Sequence, residues 1–385
     1  MNCVSRSLNV LKNLMDSADA VKRLKDQCHV LQSVLQENLT SINLCEQIVF
    51  IVMTIAKTSH HFRVQCIQNG LLPLLLDLIR RPNNNYTLVT YTYTTFIELS
   101  REVLFENNAN RLKIIEHALH FGEGSSQLSD ISLIVLALQV LRAIACTSRG
   151  SIQFFVKKQG LVHLTSLLER FGNIAEVFCP CCEVIAMVCA NYTASREVLA
   201  VDLIPRIVNV LNNNPYEVLR TFKPCFRALR AISNLSFDCV RELISTSLVP
   251  YLLQSVNSTD REIVQEIMGI LYRISLVDDG CQQLEQENAE TMLSSRLTIE
   301  FSAEDQVIIH RDLLIQNVQE YTKKRSKSTH WSVTASEIKQ SGISPIGVDS
   351  RLLTVLGKML CVDRMSESEL LIHLKQLTTL CDDGM

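Results

Sequence analysis

Aromatic residues, glycine and proline are all scarce in this sequence of 385 residues. Aromatic side chains make up 6%, and there are 12 glycines and 8 prolines, whereas hydrophobic residues reach 47%. Such a composition is typical of an all-helical protein rather than a sandwich or barrel. Long apolar runs are also missing. The two most apolar stretches, Ile42–Ala56 and Ile131–Cys146, are each shorter than ~18 residues and contain polar or charged residues, so we predict no membrane span.

A basic excess is missing as well. The net charge of −3 argues against a general nucleic-acid binder. The first residues lack the apolar core of a secretory signal. The 14 cysteines are scattered and do not have the regular spacing of a disulfide framework. We therefore interpret them as small buried apolar residues in a reducing compartment. We therefore expect a cytoplasmic protein, monomeric on its own.

Patterns that carry catalytic or metal chemistry are absent too. The sequence has no GxxxxGK[ST], GxSxG or HExxH pattern, and the loop around Gly122 and Gly124 lacks the lysine of a phosphate cradle. Cys179, Cys181 and Cys182 do not have the spacing of a zinc site and lack a matching second pair. We predict no enzymatic activity, no cofactor and no metal.

The strongest positive signal is an internal repeat. A first series of equivalent apolar positions has steps of 42, 43, 47, 42, 45 and 43 residues, at Val30, Leu72, Ile115, Val162, Ile204, Val249 and Met292. A second series has steps of 44, 45, 44, 44, 42 and 43, at Val52, Phe96, Leu141, Ile185, Leu229, Leu271 and Leu314. Two series that hold one period over most of the chain predict a stack of about seven repeats.

Each repeat is predicted to contain three helices. The first is short, and Gly70 and Gly160 suit the left-handed turn that ends such a helix. Pro73, Pro205 and Pro250 lie within the first turn of the second helix, where a missing N–H costs nothing. The third helix is apolar on nearly every side, so it must be buried between neighbouring repeats.

This pattern resembles the armadillo repeat of β-catenin and importin-α. Its clearest copy here runs from Leu203 to Ser236 and ends in ALRAISNLS. HEAT repeats have a similar length, but the short first helix and the Gly–apolar–apolar–Pro turn favour armadillo. The resemblance implies an all-α fold, a right-handed α-solenoid of about seven repeats whose third helices line a concave groove.

Four segments make up the predicted domain organisation. Residues 1–24 form an N-terminal helical cap, and 25–321 form the repeat array, whose last repeat is degenerate. Residues 322–348 are rich in Ser, Thr, Lys, Gly and Pro, which predicts a flexible linker. Residues 349–385 form a helical hairpin, which either caps the stack or docks a partner.

In peptide-binding armadillo relatives, an asparagine on the third helix holds the backbone of an extended ligand. The resemblance carries this role to Asn234. The aligned positions in other repeats are Cys146, Ala190 and Leu276, so the ladder of asparagines is absent. Asn234 either binds a peptide or forms a local hydrogen bond.

A row of arginines is a second feature of the predicted groove. Arg142 and Arg230 occupy equivalent positions, and Arg227 and Arg273 lie close to that register. Guanidinium groups on one face could clamp acidic side chains through bidentate hydrogen bonds. The alternative is that each arginine pairs with Glu or Asp from a neighbouring repeat.

A basic run lies in the predicted linker. Lys323, Lys324, Arg325 and Lys327 resemble a nuclear-localisation segment, although such runs also occur in solvated linkers. Trp331 is the one tryptophan, and it makes 321–340 a candidate linear motif.

Together these features predict a non-enzymatic scaffold or adaptor that binds partner proteins, including acidic segments, in its concave groove. Two alternatives remain. One is a regulator of a client protein, such as a helical-repeat exchange factor or co-chaperone. The other is a structural component of a large assembly, such as a cilium or chromosome axis.

Overall fold

The computed structural model describes residues 3–15, 17–81, 85–106, 109–120, 131–191, 195–213, 223–296, 301–302 and 305–340. The secondary structure in these ranges is entirely helical, without a strand. The chain divides into two compact units, Met1–Tyr321 and Thr322–Met385. The first unit contains the repeats up to Tyr321.

In the described part of the chain, an N-terminal helix, α1 (Cys3–Leu14), precedes seven repeats of three helices each. The first three repeats are α2 (Ala18–Leu24), α3 (Cys28–Glu37), α4 (Ile42–Thr58); α5 (His60–Gln68), α6 (Leu71–Ile79), α7 (Tyr86–Leu99); α8 (Val103–Glu106), α9 (Asn110–His120), α10 (Ile131–Ala145). The next three are α11 (Arg149–Lys157), α12 (Gly160–Phe171), α13 (Ala175–Asn191); α14 (Ser195–Ala200), α15 (Leu203–Asn213), α16 (Lys223–Ser233); α17 (Phe237–Ser245), α18 (Leu248–Ser255), α19 (Arg261–Ile274). The seventh is α20 (Asp278–Gln286), α21 (Ala289–Arg296), α22 (Gln306–Gln340).

The third helices form the core of the stack. The second series of apolar positions lies in the third helices, and all seven of its residues are buried. Consecutive third helices from α4 to α19 pack against each other along the array. Each of these helices is covered on several sides, which explains why its sequence is apolar around most of its circumference.

The first series of apolar positions lies in the second helices. It marks a buried residue in four repeats and the direct neighbour of a buried residue in the others. Val30 and Val162 are 43% and 46% exposed, whereas the adjacent Leu31 and Leu161 are 5% and 2% exposed. The helices α3 and α12 carry two consecutive apolar residues at this point, and only one of the two can face the core.

Among the described residues, the turn between first and second helices uses a left-handed residue in four repeats. Gly70 has φ of 81°, as predicted. In the fourth repeat the left-handed residue is Gln159 (φ 58°), not Gly160. Gly160 is required for another reason, because a Cβ there would collide with the ring of Phe155. Asp202 and Asn288 take the left-handed position in the fifth and seventh repeats.

The N-terminal segment contributes to the first repeat. Helix α1 packs against α4 and buries Leu8. Helix α2 stands where a first helix is expected, with Val21 and Leu24 packed against the core. The first repeat therefore begins before residue 25, earlier than predicted.

The segment predicted as a flexible linker differs in its first part. Helix α22 continues to Gln340, although the boundary between the compact units lies after Tyr321. Residues 322–340 contain neither Gly nor Pro, the first of which is Gly342, so nothing in this stretch stops the helix. Residues 341–348 and the predicted hairpin at 349–385 lie outside the described residues.

Candidate functional site

The surface of interest is the third-helix face, defined as the exposed sides of α4, α7, α10, α13, α16 and α19. Because these helices pack in sequence, their exposed residues form adjacent rows. A cavity of about 720 Å³ lies on this face between α13 and α16. We call it the central cavity.

Three of the five predicted groove residues line the central cavity. Arg227 and Arg230 project from α16, and Asn234 follows the end of that helix. Arg142 and Arg273 are not among its lining residues. Apolar side chains such as Met187 and Leu235 complete the wall, so the cavity combines cationic, amide and apolar groups.

The arginines of α16 are paired with carboxylates of α19. Arg227 Nη2 lies 3.0 Å from Glu262 Oε2, and its Nε lies 3.8 Å from Glu266 Oε1. Arg230 Nη1 donates to Glu266 Oε2 at 3.0 Å. Lys223 contacts Glu262 as well. The Lys223 hydrogen bond and charge hold the pKa of Glu262 below its usual range, with a smaller contribution from Arg227.

The remaining two predicted arginines also have internal partners. Arg142 Nη1 donates to Glu183 Oε2 of the next third helix at 2.5 Å. Arg273 Nε donates to the carbonyl oxygen of Ser233 at 3.2 Å, and its guanidinium lies 5.7 Å from the ring centroid of Phe237. Pairing across neighbouring repeats, one of the two alternatives from the sequence, is thus what the structure shows at Arg142, Arg227 and Arg230.

Asn234 and its neighbour Asn191 differ in how their amides are used. Asn191 Nδ2 donates to the carbonyl oxygen of Met187, one turn back in its own helix, at 2.8 Å. Asn234 is exposed, and its side chain has no hydrogen-bond partner in the described part of the chain. Both line the central cavity. The amide of Asn234 is therefore available to a ligand there.

Two charged residues of the cavity lining, Arg149 and Glu266, were not predicted from the sequence. Arg149 begins α11 and lines the cavity, and no ion pair involves it within the described ranges. Glu266, on α19, also lines the cavity. The sequence signal for Glu266 is weak, because the two pairs do not share one spacing: Arg142 and Glu183 are 41 residues apart, and Arg230 and Glu266 are 36 apart.

The N-terminal part of the third-helix face is less charged. Phe50 of α4 and Tyr91 of α7 pack with ring centroids 5.2 Å apart, and Lys12 lies over the Phe50 ring. Asn85, at the start of α7, donates to Glu46 at 3.0 Å. Clustered guanidinium groups are thus a feature of the central cavity rather than of this part of the face.

The cysteine cluster has the character of core residues. Cys181 and Cys182 are fully buried, and burial keeps the pKa of both thiols well above the usual range. Burial raises the pKa of Cys179 to about 12. Neutral thiols are poor metal ligands. Across the residues that the structure describes, no group of three or more His, Cys, Asp or Glu side chains is placed to hold a metal ion.

Several histidines and basic residues lie away from the cavity. His60 and His61 start α5, where they contact Glu102 and Asp26 respectively. Lys323, Lys324 and Arg325 lie on the exposed surface of α22, whereas the side chains of Lys327 and Trp331 fall outside the described ones. In the described ranges, no helix has both the length and the hydropathy needed to cross a membrane.

Comparisons with known proteins show the fold. No protein-family model and no curated protein matches the sequence. An engineered protein from the Northeast Structural Genomics Consortium has a TM-score of 0.67 at 17% identity, over 81% of this chain and 74% of that one. A designed armadillo repeat protein has a TM-score of 0.51 at 18% identity, over 64% and 99%. A structure from work on a phosphorylation switch controlling the interaction between cadherin and beta-catenin has a TM-score of 0.57 at 15% identity, over 82% of this chain and 75% of that one. The chain is therefore an all-α solenoid with the armadillo-type repeat fold that its sequence predicts.

Proposed function

We propose that this protein is a non-enzymatic scaffold or adaptor that binds partner proteins on its third-helix face. The observation that carries the proposal is the central cavity, which places Arg227, Arg230 and Asn234 together beside apolar side chains. A concave site with a few convergent polar groups on an apolar wall is the usual form of a binding site. The likeness to a structure from work on the cadherin and beta-catenin interaction supports a protein partner.

The charge of the cavity favours an acidic segment of the partner. Arg149, Arg227 and Arg230 outnumber Glu266 among the charged lining residues. Guanidinium groups bind carboxylates and phosphates through paired hydrogen bonds, and an amide such as that of Asn234 can bond a peptide backbone. Met187 and Leu235 would contact apolar side chains of the same segment.

The experiment is a comparative affinity capture from cells, with identification by mass spectrometry. The test variant is Arg227→Glu with Arg230→Glu, which reverses two cavity charges. The matched control is Arg241→Glu, because Arg241 is an exposed arginine on α17 that pairs with Asp238 within its own helix. The proposal predicts that the test variant loses proteins that the wild type and the control retain.

One outcome of this experiment would contradict the proposal. If the test variant remains helical and captures the same proteins as the wild type, the cavity is not the binding site. The nature of the proteins that are lost also separates the candidate roles: signalling proteins indicate an adaptor, a nucleotide-binding protein indicates a regulated client, and stoichiometric structural proteins indicate a component of an assembly.

A further inference from the structure

The ion pairs in the central cavity are not equivalent. Glu262 contacts both Lys223 and Arg227, so it keeps a cationic partner if Arg227 turns away. Glu266 has Arg227 at 3.8 Å and Arg230 at 3.0 Å. One carboxylate, that of Glu266, therefore bridges two of the three arginines of the cavity.

The position of Glu266 makes its pairing matter for binding. Its side chain is 19% exposed and lines the cavity, whereas the side chain of Glu262 is 56% exposed and is not among the lining residues. An acidic group that enters the cavity meets Arg227 and Arg230 already in contact with Glu266. Partly exposed ion pairs of this kind are weak, so an incoming anion can exchange with the carboxylate.

A glycine leaves room for Arg230 in this arrangement. Gly269 lies one turn after Glu266, and a Cβ at Gly269 would be 2.7 Å from Arg230 Nε. The guanidinium therefore occupies the space that a larger residue would fill. Glu266 and Gly269 together direct Arg230 onto the surface of α19.

We infer that Glu266 acts as an internal competitor, which occupies Arg227 and Arg230 until an anionic side chain of a partner takes its place. The inference rests on the proposed function and specifies its regulation. Arg149, with no ion pair in the described residues, would make the first contact with the anion. Arg230 would then exchange Glu266 for the ligand. The anion can be a carboxylate or a phosphorylated side chain, since both accept paired hydrogen bonds from guanidinium.

The test measures binding of two fluorescein-labelled peptides by anisotropy. One peptide carries glutamates in a Gly–Ser background, and the other carries phosphoserines at the same positions. Glu266→Gln should tighten binding of at least one peptide about fivefold, the size expected when one weak ion pair no longer competes. Glu262→Gln is the matched control, with the same charge change one turn earlier on α19, and should tighten binding by less than about twofold.

A second arm isolates the arginines. In a protein with Arg227→Gln and Arg230→Gln, adding Glu266→Gln should leave peptide affinity unchanged, because the competition has been removed. Glu266→Ala serves as a second variant, and circular dichroism verifies that each protein is folded.

The inference is overturned if neither peptide binds wild type or variants, or if Glu266→Gln and Glu262→Gln change affinity equally. These results differ from failure of the proposed function, which is seen in the capture experiment as retention of all partners by the charge-reversed protein. Which of the two peptides responds identifies the anion as a carboxylate or a phosphate.

Discussion

Arg230 and Gly269 are packed so closely that the arginine occupies the place of a side chain. The Nε of Arg230 lies 2.7 Å, and its Cζ 3.0 Å, from the position of a Cβ on Gly269. Glycine in the middle of a helix such as α19 destabilises it by about 0.5–1 kcal/mol relative to alanine. The presence of glycine here is explained by the arginine that lies across it.

This relationship predicts a coupling between the two positions. Gly269→Ala should add about 0.5–1 kcal/mol to the free energy of unfolding when Arg230 is alanine, because only the helix propensity changes. With Arg230 present, the gain should be smaller, since the guanidinium must move. Urea denaturation of the two single variants and the double variant measures the coupling. Equal gains in both backgrounds would show that the contact has no energetic consequence.

A second prediction concerns pH and the half-buried His117. Burial lowers the pKa of His117 to about 4 from its ordinary 6.5, against a hydrogen bond to the backbone of Ile79 that raises it. The unfolded chain therefore binds a proton that the folded protein does not. The contribution of His117 to the free energy of unfolding is fully present above pH 6.5 and is lost as the pH falls towards 4.

Between pH 7.5 and pH 5 we expect this group to contribute a loss of no more than about 2 kcal/mol. The comparison that isolates it is His117→Gln, which keeps an amide able to replace the hydrogen bond to Tyr93. Urea unfolding at both pH values should give a smaller loss in the variant. An identical loss in both proteins would assign the pH dependence to other groups.

A third prediction concerns the left-handed turn residues. Gln159 has φ of 58° and an exposed side chain, so Gln159→Gly should stabilise the protein by about 0.5–1 kcal/mol through relief of steric strain. Gly70→Ala should destabilise it by about 1 kcal/mol for the same reason in reverse. Chemical denaturation checks both. Destabilisation by Gln159→Gly would contradict the argument.

A fourth prediction concerns the basic run at the start of the second unit. If Lys323, Lys324, Arg325 and Lys327 direct nuclear import, their joint change to alanine in a fluorescent fusion should lower the nuclear share of the signal. The control changes Lys22 and Arg23, two exposed basic residues of α2. An unchanged distribution would leave the run as part of a solvated helix.

How far the sequence predicts this fold can be stated residue by residue. The third-helix anchors were all placed correctly, because a helix that must be buried on several sides tolerates few polar residues. The second-helix anchors were less secure. Val30 stands beside Leu31 and Val162 beside Leu161, and hydrophobicity alone cannot choose between neighbours that point about 100° apart around the helix.

Local backbone geometry was harder to predict. Glycine at the end of a first helix predicts a left-handed turn, which is right for Gly70 and wrong for Gly160. In the fourth repeat, the glycine is needed for contact with Phe155, and Gln159 adopts the left-handed conformation one residue earlier. The choice depends on tertiary packing that the local pattern does not contain.

The candidate site was predicted in part. Arg227, Arg230 and Asn234 share one cavity, but Arg142 and Arg273 line other parts of the surface. Register within the repeat places residues on a face without specifying which repeats lie close enough to enclose a cavity. Arg149 was missed because it begins a first helix, and only the folded stack brings it beside α16.

The central claim, that partners bind at the cavity on the third-helix face, is tested most directly by site-specific photo-cross-linking in cells. A photoreactive amino acid at Ala190, an exposed residue of the cavity, should cross-link to the captured partners. The same amino acid at Glu242, a partly exposed position on α17 outside the cavity lining, should not. Cross-links from Glu242 with none from Ala190 would contradict the account.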